Sequence, residues 1–155
     1  MKYEKSYHNG ASEVIDIDII DSVTKIIEQT EFEMKRYSVP ELKKTMVKSL
    51  ICDGWSGQFR VDDKTRITIT SKKRDVGLCL QLGNVCRIYA DLLKLQVLFN
   101  KGIIKAGIII VSSEESAKIM SGNMASFERL EREYPLYEEI ISVPCAVLGF
   151  YEEVN

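Results

Sequence analysis

The residues best suited to metal binding or nucleophilic catalysis are few and widely separated in this chain. None of its four cysteines forms a CxxC pair of the kind that holds zinc; they are Cys52, Cys79, Cys86 and Cys145. Each lies in an apolar stretch, so all four are expected to be reduced residues of the core. His8 is the only histidine, so neither a histidine metal pair nor histidine-based nucleophilic catalysis is predicted.

Charged side chains are more abundant, and their distribution leaves two interpretations open. The net charge of -2 and the pI of about 5.6 give no overall positive field of the kind that attracts nucleic acid. Basic residues nevertheless cluster at two places, namely Lys43, Lys44 and Lys48, and then Lys64, Arg66, Lys72, Lys73 and Arg74. The clusters predict either a local positive face or ordinary solvated turns and helix faces.

The composition is that of one globular domain spanning residues 1–155. The chain is 45% hydrophobic and 28% charged, and its 155 residues suffice to bury a core without disulfides. The N-terminal residues lack the apolar segment of a signal peptide, and no apolar run is long enough to span a bilayer. A cytoplasmic protein without a membrane partner is expected.

Helix signals surround the first basic cluster. Ser38 is suited to be an N-cap, Pro40 falls in the first turn, and Glu41 lies three residues after Ser38, as in a capping box. These residues predict a helix over residues 40–52. Between residues 11 and 31 the apolar spacing leaves helix and strand in competition, with a helix favoured for the first half.

Alternating apolar and polar residues then predict three successive strands, over residues 58–62, 66–70 and 76–82. Residues 71–75 are predicted to form a charged turn between the last two strands. One face of the third strand is expected to carry Val76, Leu78, Leu80 and Leu82, and the opposite face Gly77, Cys79 and Gln81.

The second half of the chain switches repeatedly between helix and strand periodicity. It predicts a helix over residues 85–100, a strand buried on both faces over residues 107–111, a helix over residues 126–133 and a last strand over residues 143–150. Strand, long helix and buried strand form a βαβ crossover. The whole pattern predicts an α/β domain with a central mixed sheet flanked by helices.

A distinctive series of segments runs through these elements. Gly54-Trp55 follows the lysine-rich helix, and after the hairpin come VGLCLQLGN, VCRIYADLLKLQVLFN, GIIIV, GNMASFERL and ISVPCAVLGF. In this order they resemble the core of BglII/BstYI-type restriction endonucleases over residues 13–150, most densely over residues 77–111. The resemblance implies a restriction-endonuclease-like fold and a relationship to Mg²⁺-dependent enzymes that hydrolyse DNA phosphodiesters.

The resemblance also identifies the positions of a catalytic site. In that family it implies an Asp at the end of a hairpin strand and a Glu-x-Gln on the next strand, which bind Mg²⁺ and activate a water molecule. Aligning VGLCLQLGN with this motif places Gln81 on the Gln, Cys79 on the Glu and, nine residues earlier, Thr70 on the Asp. The side-chain alternation also directs these three to one face. A hydroxyl, a thiol and an amide cannot hold a strongly hydrated dication, so tight metal binding is not expected at this degenerate site.

Carboxylates elsewhere provide an alternative set of catalytic acids. Asp62 and Asp63 lie at the hairpin, and Glu41 lies on the helix before Gly54, from which related nucleases sometimes supply an acid. A metal site relocated to these residues would make the chain an active Mg²⁺-dependent endonuclease. Asp62 and Asp63 are more simply explained as turn residues, and Glu41 as part of a helix cap.

Candidate DNA contacts come from the second basic cluster and the helix that follows, namely Lys72, Lys73, Arg74, Arg87 and Lys94. The alternative for the helix is a solvated face on which Arg87 pairs with Asp91. Because family members act as two-fold dimers on palindromic DNA, the resemblance also implies a homodimer. Three functions stay open: a DNA-binding relative that has lost hydrolysis, an active endonuclease with relocated acids, and a protein-interaction module on the same fold.

Overall fold

The computed structural model describes residues 1–152. Its strands are β1 (Lys2–His8), β2 (Phe59–Arg60), β3 (Thr68–Ile69), β4 (Ser71–Lys73), β5 (Val76–Leu80), β6 (Ala106–Ser112) and β7 (Cys145–Tyr151). Its helices are α1 (Ala11–Val14), α2 (Ile17–Gln29), α3 (Val39–Cys52), α4 (Arg87–Asn100), α5 (Glu114–Met120) and α6 (Phe127–Glu133), and a 3₁₀ turn (Tyr134–Tyr137) follows α6.

Five of the strands form a central mixed sheet in the order β1-β7-β6-β5-β4. β5, β6 and β7 run parallel, whereas the edge strands β1 and β4 are antiparallel to their neighbours. Parallel neighbours need a crossover connection, and α4 supplies the one between β5 and β6. The predicted α/β fold with a central mixed sheet flanked by helices is confirmed.

The two faces of the sheet are covered by different helices, and side-chain alternation decides which residue meets which layer. Val76, Leu78 and Leu80 of β5 join the core formed with α2 and α3. Cys79 points the other way and joins the core formed with α4 and α6. Every residue of β6 is buried, as expected for an apolar strand covered on both faces.

The competition between helix and strand near the N-terminus is resolved in favour of helices. Ile20, Val23 and Ile27 recur at helical spacing in α2 and are buried. Packing of this apolar face therefore outweighs the preference of β-branched residues for strands. Ser38 precedes α3 as predicted, but the capping box is wrong. The Ser38 hydroxyl donates instead to the main-chain carbonyl of Lys35, because the chain before the helix turns back on itself.

The main departure from the predicted strands lies at the hairpin. β2 and β3 are only two residues long and form a separate two-stranded sheet. The segment predicted as a charged turn contains β4, the edge strand of the central sheet. The main-chain N–H of Lys72 donates to Ser56 Oγ at 2.8 Å, which ties this strand to the chain that follows α3. Charged side chains suit an exposed sheet edge, so a strand at this position need not be apolar.

The expectation that all four cysteines lie in the core is wrong for two of them. Cys79 and Cys145 are buried, whereas Cys52 and Cys86 are exposed. Cys52 ends α3 and Cys86 precedes α4, so both lie at helix ends on the surface, where apolar sequence neighbours do not imply burial. Within residues 1–152, every helix is too short or too polar to cross a membrane.

Candidate functional site

A cavity of about 570 Å³ opens where β5 ends, between α3, the β2–β3 hairpin and the first half of α4. Ligand sites of open α/β sheets characteristically lie at this carboxyl end of the strands. The polar residues that line the cavity are Lys43, Gln58, Thr68, Thr70, Gln81, Arg87, Asp91 and Lys94. The fold therefore brings together Thr70 and Gln81, two of the three positions assigned to the degenerate catalytic site.

Thr70 and Gln81 present polar groups that are already hydrogen bonded within the protein. The hydroxyl oxygen of Thr70 accepts a hydrogen bond of 2.9 Å from the main-chain N–H of Leu80. Gln81 Nε2 donates to the carboxylate of Asp91, and Gln81 Oε1 accepts from the main-chain N–H of Gly83 at 2.8 Å. These bonds hold the Gln81 amide across the end of the strand, directed towards α4.

Cys79 lies beneath the cavity and is not part of its lining. Its side chain is on the face of β5 that meets α4, and only 1% of the residue is exposed. Burial raises the pKa of the Cys79 thiol well above its usual value, and the negative charge of Asp91 adds to the increase. Metal binding requires a thiolate, so this protonated thiol is a poor ligand at neutral pH.

Asp91 supplies a carboxylate to the cavity, and sequence reasoning missed this role because it placed the residue on a solvated helix face. The residue is only 6% exposed. Gln81 Nε2 donates to its Oδ2 atom, and Lys94 Nζ donates to its Oδ1 atom at 2.8 Å. The alternative Arg87–Asp91 pair is wrong, because α4 docks with Asp91 turned towards the sheet and Lys94 beside it. The sequence carried no signal for this role, because the burial of Asp91 depends on how α4 docks on the end of β5.

The three acids predicted as relocated ligands do not meet at this cavity. Glu41 lies on α3 and faces the groove between α2 and α3. Asp62 accepts main-chain hydrogen bonds from Lys64 and Thr65, and these bonds, that from Lys64 foremost, hold the pKa of the Asp62 carboxyl below its usual value. Asp63 is exposed in the same turn. The positions of Asp62 and Asp63 fit a turn better than a shared metal site.

Two of the basic residues predicted as DNA contacts line the cavity. Arg87 and Lys94 reach it from α4, and Lys43 reaches it from α3. The stem of Arg87 lies against Gly83, where a Cβ atom would come within 3.1 Å of Arg87 Cδ. Lys94 is paired with Asp91, whereas Lys43 and Arg87 form no side-chain hydrogen bond or ion pair within residues 1–152.

The other three predicted DNA contacts lie outside the cavity lining, on β4 and the turn after it. Lys73 Nζ lies 2.8 Å from the carboxylate of Asp53, and Arg74 pairs with Asp16 at 3.1 Å. Lys72 donates to the main-chain carbonyl of Arg74. All three cations have partners, and those of Lys73 and Arg74 tie β4 and its turn to the ends of α3 and α2.

The residues at the cavity do not fit a Mg²⁺ ion. Mg²⁺ requires near-octahedral oxygen ligands, usually including carboxylates. The aligned acid positions hold Thr70 and Cys79, and both carboxylate oxygens of Asp91 already accept hydrogen bonds from Gln81 and Lys94. In the part of the chain that the structure describes, no three His, Cys, Asp or Glu side chains are grouped closely enough to hold a metal ion.

Comparison with known proteins agrees with a restriction-endonuclease-like fold. A crystal structure described as restriction endonuclease BglII complexed with a DNA 16-mer has a TM-score of 0.87 and 14% identity, and the match covers 100% of this chain and 78% of that chain. A structure of free BglII has a TM-score of 0.79 and 17% identity, with 100% and 82% covered.

The family described as Restriction endonuclease BglII/BglIII matches residues 3–150. The chain belongs to this family, and the resemblance identified from the sequence is confirmed. No curated protein matches the sequence.

Proposed function

We propose that this chain, acting as one domain, is a DNA-binding member of the BglII/BglIII family whose ability to hydrolyse DNA is impaired. The proposal rests on one observation, the hydrogen bonding of the Asp91 carboxylate. Among the described residues that line the cavity it is the one carboxylate, and Gln81 and Lys94 occupy both of its oxygens. Phosphodiester hydrolysis of this kind depends on a divalent metal ion that lowers the pKa of the attacking water molecule.

DNA binding is supported by the family and by the cations at the site. One structure with the same fold is described in complex with DNA. Lys43, Arg87 and Lys94 place positive charge at the cavity although the whole chain is slightly acidic. Contacts from such side chains to phosphate position a protein on DNA. Mg²⁺ is the cofactor expected from the family, and we propose that it is not bound tightly here.

An active endonuclease is the second candidate, and Asp91 is the observation that favours it. An acid on the helix after β5 is closer to Thr70 and Gln81 than the predicted alternatives Glu41 and Asp62, which lie outside the cavity lining. Catalysis by Asp91 would require Lys94 to leave the carboxylate so that a metal could bind. Because Lys94 would compete with a metal ion for the Asp91 carboxylate, we favour the proposal that hydrolysis is impaired.

The proposed assembly is a homodimer, which is also what the interaction-module alternative would use. Leu93 and Val97 on the outer face of α4 are 53% and 39% exposed, and Leu136 and Ile140 in the neighbouring segment are 77% and 66% exposed. The ring centroids of Tyr89 and Tyr137 lie 5.2 Å apart and connect α4 to that segment. Clusters of exposed apolar side chains are common at protein interfaces.

A cytoplasmic location is part of the proposal. Its support is the four free cysteines, which are typical of a reducing compartment.

The experiment that tests the proposal is a salt-dependent DNA-binding titration followed by analysis of the same duplex after incubation with Mg²⁺. The expected result is affinity that falls as salt rises, because phosphate contacts release counterions, together with intact DNA. Binding with cleavage would favour the active endonuclease. Neither binding nor cleavage would favour the protein-interaction module.

A further inference from the structure

The cavity at the end of β5 has an excess of positive charge. Among the described residues, Lys43, Arg87 and Lys94 line it together with a single carboxylate, Asp91. Lys94 lies 2.8 Å from that carboxylate, which leaves the charges of Lys43 and Arg87 unneutralised. Neither of these two side chains has a hydrogen-bonding or ionic partner in residues 1–152.

The two unneutralised cations come from helices on opposite faces of the sheet. Lys43 belongs to α3, which packs in one core, and Arg87 begins α4, which packs in the other. An added Cβ at Gly83 would come within 2.9 Å of Gln81 Oε1 and 3.1 Å of Arg87 Cδ. The absence of a side chain at Gly83 therefore lets the Arg87 stem and the Gln81 amide approach the strand end closely.

We infer that this cavity binds a backbone phosphate of DNA directly, through Lys43 and Arg87 and without a divalent metal ion. A phosphodiester carries one negative charge, and ammonium and guanidinium groups bind it by charge-assisted hydrogen bonds. Lys94 assists by neutralising Asp91, which would otherwise repel the phosphate. The inference rests on the proposed DNA-binding function. It adds that the side chains of Lys43 and Arg87, in place of a metal ion, bind the phosphate.

Fluorescence anisotropy of a short labelled duplex in EDTA tests this inference. The variants Lys43→Gln and Arg87→Gln each remove one cavity charge from an exposed residue. Lys44→Gln is the matched control for the first, because Lys44 is the next residue of α3 and lines the groove towards α2. Arg132→Gln, exposed on α6 and outside the cavity lining, is the control for the second.

Each cavity variant is expected to bind DNA several-fold more weakly, with the slope of log affinity against log salt reduced by about one. Both controls are expected to keep the wild-type affinity. Replacing EDTA with Mg²⁺ should not raise wild-type affinity, since Mg²⁺ only competes for the DNA phosphates. Circular dichroism melts of all four variants establish that the fold is retained.

Two results would overturn the inference while leaving DNA binding in place. One is an equal loss of affinity in Lys43→Gln and Lys44→Gln, which would show that general charge holds the DNA. The other is a wild-type affinity that is higher in Mg²⁺ than in EDTA. Failure of the wild type to bind DNA in either EDTA or Mg²⁺ is a different result, and it would overturn the proposed function as well.

Discussion

Gln81 at the end of β5 and Asp91 on α4 are hydrogen bonded to each other, amide to carboxylate, across the edge of the central sheet. Lys94 completes the arrangement by donating to the second carboxylate oxygen at 2.8 Å. Burying a carboxylate is costly unless its oxygens accept hydrogen bonds, so these two donors offset the cost of burying Asp91.

The first prediction concerns the Asp91–Lys94 pair. Lys94→Met should lower the free energy of unfolding by about 1–3 kcal/mol, because it leaves one oxygen of a buried carboxylate without its charged donor. Asp91→Asn should cost less, since the Lys94 ammonium, with its side chain 28% exposed, can turn to water. The double variant Asp91→Asn with Lys94→Met should be more stable than the sum of the single losses predicts. Urea unfolding measures all three, and strictly additive losses would show that the pair is not coupled.

The second prediction restores the missing acids. The double substitution Thr70→Asp with Cys79→Glu should lower the melting temperature without metal, because a carboxylate replaces a thiol that is 1% exposed and lies close to Asp91. Mg²⁺ should then raise the melting temperature of this variant, since it binds only the folded state. Wild type and each single substitution should show no such increase.

The matched control for that experiment is Thr70→Asn with Cys79→Gln, which has nearly the same shape and no added charge. A Mg²⁺-dependent increase in both double variants would mean that the ion binds elsewhere. No increase in the acidic variant would show that positions 70 and 79 do not together form a metal site. The alignment that identifies the degenerate catalytic site would then be wrong.

The third prediction concerns the four thiols. Cys52 and Cys86 are exposed, whereas Cys79 and Cys145 are buried. Burial raises the pKa of Cys145 to about 12, and that of Cys79 also lies well above its usual value. Because the thiolate is the reactive form, Ellman's reagent should modify two thiols rapidly in native protein and all four after unfolding. Rapid modification of Cys79 in native protein, identified by mass spectrometry, would contradict the buried position beneath the cavity.

The fourth prediction is a pH dependence of stability that arises at the edge of the sheet. Glu131 accepts hydrogen bonds from His8 at 2.9 Å and Ser6 at 2.5 Å. Burial raises the pKa of the Glu131 carboxyl, but these hydrogen bonds outweigh it and hold the pKa below the usual 4.5. Since the folded-state pKa is the lower one, the stabilisation is present above the unfolded-state pKa and disappears as the pH falls through the folded-state pKa.

The variant Glu131→Gln tests this sign. Its melting temperature should lie below that of wild type near neutral pH, and the difference should shrink as the pH falls below 4.5. A difference that stays constant down to strongly acidic pH would mean that the carboxylate charge contributes nothing at this position.

The sequence correctly predicts those elements in which buried residues follow one regular pattern. The alternation of Val76, Leu78 and Leu80 against Cys79 indicates both faces of β5, and the continuous apolar run of β6 indicates a strand covered on both sides. β4 could not be found in this way. Two of its three residues are lysines, and its strand conformation depends on main-chain pairing with β5 and on Ser56, which is distant in sequence.

In the candidate site too, some residues could be predicted from sequence and others depend on tertiary packing. Thr70 and Gln81 follow from the family motif and do line the cavity. Asp91 could not be assigned from sequence, because its burial depends on how closely α4 docks on the end of β5. On an isolated helix, Arg87 and Lys94 are equally plausible partners for Asp91, and only the tertiary position of the helix selects Lys94.

We propose that this cavity cannot hold the metal ion needed for hydrolysis, and a nicking assay on supercoiled plasmid tests this claim most directly. Protein in excess over plasmid is incubated with Mg²⁺ and separately with Mn²⁺, under conditions in which DNA binding has been demonstrated. The predicted result is plasmid that remains supercoiled with both ions, for wild type and for Asp91→Asn alike. Time-dependent nicking by wild type that is abolished in Asp91→Asn would contradict the claim, because it would make Asp91 a working catalytic acid.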